Sequence, residues 1–141
     1  MIRVAAILTC LALAGCGAAP AQELQAVDPG AEVTLAPRAT AAVKNAEIKV
    51  TFVAVTEDSR CPRDVTCIWA GEVKVQLEVQ QASQVASQVE ILERGSTVAG
   101  KYRVTLVRVE PQPTSTARIA PQDYRATLKI DNLGQSAGAN R

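Results

Sequence analysis

Residues 57–72 gather most of the side chains that could do chemistry: Glu57, Asp58, Arg60, Cys61, Arg63, Asp64, Cys67, Trp69 and Glu72. Two cysteines beside acidic groups admit three chemistries: a structural disulfide, a redox-active thiol pair, or a metal site in which both thiolates join Asp58 or Asp64. Five residues separate Cys61 from Cys67. That is not the Cys-x-x-Cys spacing that depresses a thiol pKa, which disfavours the redox pair. The metal site is disfavoured by composition, because the sequence has no histidine and structural zinc sites usually add further Cys or His.

The missing histidine also removes Ser–His and Cys–His nucleophilic pairs. General acid–base work would fall to carboxylates, lysine or tyrosine. Glu57, Asp58 and Glu72 are the carboxylates clustered near a rigid element, but a hydrolase needs a pair facing across a cleft, and their spacing gives no sign of one. The expectation is a protein that is not an enzyme, with no catalytic residue, no metal and no cofactor. Charge is nearly balanced, with 15 Lys+Arg against 14 Asp+Glu. The cations are spread along the chain without a basic run, so the footprint of a nucleic-acid binder is missing.

The amino terminus places this chemistry in a compartment. Met1-Ile2-Arg3 is a short positive segment, and Val4 to Ala14 is an apolar run too short to span a bilayer. It ends in Leu13-Ala14-Gly15-Cys16, which resembles the lipobox of bacterial lipoproteins. The resemblance implies a signal peptide over 1–15, cleavage before Cys16, and acylation of the Cys16 thiol and amine. Two or more acyl chains anchor a protein stably where one does so only marginally, so membrane lipid is the first expected partner. Gly17 stands where an Asp usually signals inner-membrane retention in Gram-negative lipoproteins, which for a Gram-negative source points to the outer membrane, facing the periplasm or the exterior. Residues 16–30 carry the lipidated cysteine and a small, polar, Pro-containing tether. Cys10 leaves with the signal peptide, so Cys61 and Cys67 are the unlipidated cysteines in an oxidising space, which favours a disulfide between them. The ring is short, and the loop-entropy model gives it about 2 kcal/mol.

The elements that must hold this loop read as strands. Val73, Val75, Leu77 and Val79 alternate with polar residues over 72–80, and Tyr124, Ala126, Leu128 and Ile130 do so over 124–131. Residues 47–56 put Ile48, Val50, Phe52 and Ala54 on one face. Tyr102, Val104 and Leu106 alternate before Val107 and Val109 change parity, the mark of a β-bulge or a strand crossing between sheets. Shorter strands are expected over 31–36, 41–43 and 88–92. With few aromatics, the core must come from Val, Leu and Ile, which suits strands. The expected fold is all-β, an immunoglobulin-like β-sandwich of six or seven strands over residues 31–133, with a small β-barrel as the alternative and a flexible tail over 134–141.

Asp58-Ser59-Arg60-Cys61-Pro62, then Val65, then Cys67-Ile68-Trp69-Ala70-Gly71 resembles a signature of small bacterial secreted proteins and lipoproteins, a group with no assigned activity. The alternating strand that follows also fits. Trp69 shares parity with Cys67, Val73 and Val75, which points its ring inward beside the disulfide, with a ligand-facing, binding role for Trp69 as the alternative, while Gly71 marks a bulge or a close backbone approach. Asp58, Arg60, Arg63 and Asp64 are expected either to pair in solvent, where such pairs contribute little, or to form a two-signed patch for an envelope protein partner. The expectation is therefore a membrane-anchored cell-envelope lipoprotein, a non-enzymatic binding or structural module presenting the 57–72 loop. Alternatives are a metal-binding or thiol-redox protein using Cys61 and Cys67, and a protease inhibitor offering Arg60 and Arg63 to a basic-specific cleft.

Overall fold

The computed structural model describes residues 23–134. The expected signal peptide over 1–15, Cys16 and nearly all of the expected tail over 134–141 lie outside these. The strands are β1 (Leu24–Val27), β2 (Glu32–Leu35), β3 (Thr40–Val43), β4 (Ile48–Asp58), β5 (Val73–Gln81), β6 (Ser87–Leu92), β7 (Ser96–Ala99), β8 (Tyr102–Glu110) and β9 (Arg125–Asn132). A single 3-10 turn, Pro121–Asp123, is the helical element among the described residues. The alternation in the sequence becomes alternation in burial: β5 buries Val73, Val75, Leu77 and Val79 and half-exposes the residues between them.

The strands form two open sheets, one ordered β1-β3-β4-β5-β6 and the other β2-β9-β8-β7. Their inner faces supply one core. Val50, Phe52, Val75 and Leu77 from the first sheet lie in the same cluster as Leu35, Val104, Leu106, Leu128 and Ile130 from the second. This is the expected all-β sandwich. Because the sheets stay open, the barrel does not form.

The β8–β9 register shifts between Leu106 and Arg108, so the parity change at Val107 is a bulge. It returns Val109 to the core, where it is fully buried. Two further shifts, between Phe52 and Ala54 and between Val55 and Glu57, bend the far end of β4.

Nine strands replace the six or seven expected, and the two additions are short edge strands. β7 occupies the connection between Gly95 and Gly100. β1 lies inside the stretch assigned to the tether: Leu24–Val27 pairs in parallel with Thr40–Val43 and buries Val27. A four-residue edge strand needs only its backbone to pair, so its composition carries little alternation to reveal it.

Candidate functional site

The long hairpin of β4 and β5 does not end with its strands. Beyond the Asp58–Val73 pair, Ser59 donates its amide to the Glu72 carbonyl at 2.8 Å and Cys61 to the Ala70 carbonyl at 2.9 Å. Gly71 makes this extension possible. Its φ is +68°, and a Cβ there would collide with the Ser59 carbonyl, so the close approach inferred from sequence is real. At the tip, Cys61 and Cys67 form a disulfide with Cα atoms 5.9 Å apart. The Val65 amide donates to the Pro62 carbonyl at 3.2 Å, turning the chain inside the ring.

Asp58 and Arg60 do not form a solvated pair or a displayed patch. Their side chains are 10% and 7% exposed. The guanidinium grips the carboxylate in two places, Nη2 to Oδ2 at 2.6 Å and Nε to Oδ1 at 2.8 Å. It also donates to the carbonyls of Val109 at 2.7 Å and Pro111 at 3.1 Å, at the end of β8 in the opposite sheet. The Tyr124 hydroxyl donates to Asp58 Oδ2 at 3.0 Å from just before β9. The pair is thus a polar strut between the two sheets at the end where the loop emerges. Its geometry supplies what a buried ion pair needs, a bidentate contact with the remaining donors satisfied.

These contacts set the charge states. Burial alone would raise the Asp58 pKa, but hydrogen bonds from Arg60 and Tyr124 and the Arg60 charge outweigh it and hold the carboxyl below its usual value. Burial, then the bond to Asp58, pushes Tyr124 up to about 12. Burial alone would lower Arg60, but its bond to Asp58 outweighs that and holds the guanidinium above its usual value.

The rest of the loop is buttressed from one side. Arg63 donates its amide to the Pro113 carbonyl at 3.0 Å. Asp64 accepts from the Ser115 amide at 2.8 Å and the Ser115 hydroxyl at 2.5 Å, and those bonds lower its pKa. Arg63 and Asp64 both remain exposed.

Trp69 reverses its expected position. It is 83% exposed, Ile68 is 95% exposed and Val65 46% exposed. The left-handed residue at Gly71 breaks the period-two count between Trp69 and Val73, so the inward parity does not carry across it.

The acidic cluster does not face itself across a cleft. Glu57 and Glu72 both turn to Lys74, at 2.7 and 3.6 Å, while Asp58 belongs to the strut. An open groove of about 680 Å³ lies beside the strut, with Val55, Thr56, Ile119 and Tyr124 among its walls. The Asp58 and Tyr124 oxygens in that groove are already bonded to each other.

Local spacing did not single out Tyr124, Ser115 or the Val109 and Pro111 carbonyls, because they come to the loop from some fifty or more residues away. Among the described residues no three Cys, Asp or Glu side chains form a metal-holding group, and no helix is long and apolar enough to cross a membrane. No protein family, curated protein or solved structure matches the chain.

Proposed function

We propose that this protein is a lipid-anchored lipoprotein of the bacterial cell envelope, held through Cys16, whose β-sandwich presents the 57–72 loop as a non-enzymatic binding or structural module. The observation that carries this reading is the construction of the loop. A disulfide, an extended hairpin ladder and a buried ion pair fix it from three directions, yet Val65, Ile68 and Trp69 at its tip are left in solvent. Ordering three apolar side chains on the surface serves no core, and rigid aromatic contact area is characteristic of recognition surfaces. The lipobox-like Leu13-Ala14-Gly15-Cys16 and the signature over 58–71 support the same placement.

The alternatives draw no comparable support. The disulfide uses both thiolates that a metal site would need, and five intervening residues are not the Cys-x-x-Cys spacing of a thiol-redox pair. Arg60 is enclosed between the sheets, which leaves Arg63 alone for an inhibitory loop. Mass spectrometry of native material tests the anchor: the expected amino-terminal peptide begins at an acylated Cys16. An intact leader, or a Cys16 bearing no lipid, would overturn the reading.

A further inference from the structure

We propose that the tip of the disulfide loop, Val65, Ile68 and Trp69, docks on the same bilayer that holds Cys16. The inference rests on the lipid-anchor reading above and adds an orientation to it. The direction of the chain carries it. Leu24 pairs with Thr40, and Thr40 pairs with Thr51 in β4. β1 runs opposite to β4, so going back from Leu24 towards Cys16 the chain heads for the end of the sandwich where β4 leads into the loop. Glu23, still held by the Thr40 amide at 2.8 Å, is the last described residue on that path.

The lengths agree. Thr51 pairs with Glu78, and Asp58 pairs with Val73. At the ordinary strand rise the loop therefore starts about 17 Å beyond the level of Leu24. The ladder through Ser59 to Cys61 extends it by roughly 10 Å more. The chain from Cys16 to Leu24 spans at most about 28 Å when fully extended. That reach about equals the distance to Cys61, so an acylated Cys16 and the loop tip meet one surface when the tether is drawn out and the tip, which projects beyond Cys61, sinks a few ångströms into it.

The tip chemistry suits that surface. Indole is favoured at the lipid–water boundary, where one part of the ring is apolar and its N–H stays hydrated. Ile68 and Val65 add exposed apolar area to the same loop, and the fixed loop loses little conformational freedom on docking. A tethered domain also meets its own membrane at high effective concentration, so weak contacts suffice.

Trp69 is the sole tryptophan of the sequence, so its fluorescence reports on the tip alone. The chain from Cys16 onward is coupled through the Cys16 thiol to a maleimide lipid in phosphatidylethanolamine–phosphatidylglycerol vesicles that carry shallow nitroxide labels. Cys61 and Cys67, joined to each other, do not couple. The expected result is a blue-shifted, quenched Trp69 on vesicles, with Ile68→Asp losing most of the quenching while remaining coupled and folded by circular dichroism. Emission identical to that of the uncoupled protein would overturn the proposal and leave the tip for a protein partner. Because maleimide replaces the natural acylation, such a failure does not touch the anchor reading, which the mass of native Cys16 decides separately.

Discussion

The charged residues of the loop divide by burial into two kinds. Arg63, Asp64, Glu57 and Glu72 remain at the surface, where pairs of this type contribute little. Asp58 and Arg60 are enclosed, and removing one of them strands the other without water. Asp58→Asn is expected to cost roughly 3–5 kcal/mol, the usual penalty for an uncompensated buried partner, and Tyr124→Phe about 1 kcal/mol for one lost hydrogen bond. The pH dependence follows from the same contacts. Asp58 has a folded-state pKa below its ordinary value, so its stabilisation is complete above ~3.9 and disappears as pH falls through the lower, folded value. Tyr124 lies on the other side. With its pKa raised to about 12, its contribution is whole below ~10 and is lost as pH climbs through the folded value. Urea midpoints measured across pH should show Asp58→Asn flattening the acid limb and Tyr124→Phe the alkaline limb. Equal pH profiles for wild type and both variants would contradict the strut. None of this was legible locally, since a loop rich in Asp and Arg looks solvated until the Val109 and Pro111 carbonyls are brought over it.

At the scale of elements, the sequence revealed the strands that bury alternate side chains and concealed those that mainly pair backbone. β4, β5, β8 and β9 each place three or more side chains in the core, so period two is written into their residues. β1 and β7 are short edges, and only Val27 of these two strands reaches full burial. Trp69 was misplaced for a related reason. Parity predicts a face only while the backbone stays extended, and Gly71, at φ +68°, resets the count between loop and strand. That glycine supplies the element-scale prediction. A side chain there must displace the Ser59 backbone, so Gly71→Ala should open the ladder between Ser59 and Glu72 and cost roughly 1–3 kcal/mol, the range typical of strain at a special backbone conformation. Hydrogen exchange should show faster exchange of the Ser59 and Cys61 amides, with β8 and β9 unchanged. Unchanged protection at Ser59 and Cys61 would mean that the loop is held by its disulfide and strut alone.

At the scale of the whole molecule, the two sheets share one core, to which β1 commits a single buried side chain, Val27. β1 touches the body through a four-residue parallel ladder with β3 and through Val27, backed by the Lys44 amide donating to the Val27 carbonyl at 2.8 Å and the Lys44–Asp28 ion pair at 3.1 Å. If residues 24–27 were only tether, a chain beginning at Ala31 would be as stable as one beginning at Glu23. The structure predicts otherwise. Removing β1 uncovers the core beside Val27, worth about 1.5–2 kcal/mol for one valine, and turns β3 into a bare edge with unpaired amides. The shorter chain should therefore unfold at a lower denaturant concentration and associate more readily at high protein concentration. Denaturant titration with sedimentation velocity measures both. The consequence reaches beyond stability, because β1 also sets the direction from which the chain arrives. On the proposed anchor, a docked β1 releases the tether from a fixed point about 17 Å short of the loop and directed towards it, so that the sandwich would stand in one orientation over the surface holding Cys16. With β1 released, up to eight further residues join the tether, and the domain can turn any face to that surface. Loss of Trp69 quenching in a coupled protein whose β1 is prevented from pairing, for example by Ala26→Pro, would show that the edge strand sets the pose, whereas full quenching in that variant would show that the loop finds the membrane unaided.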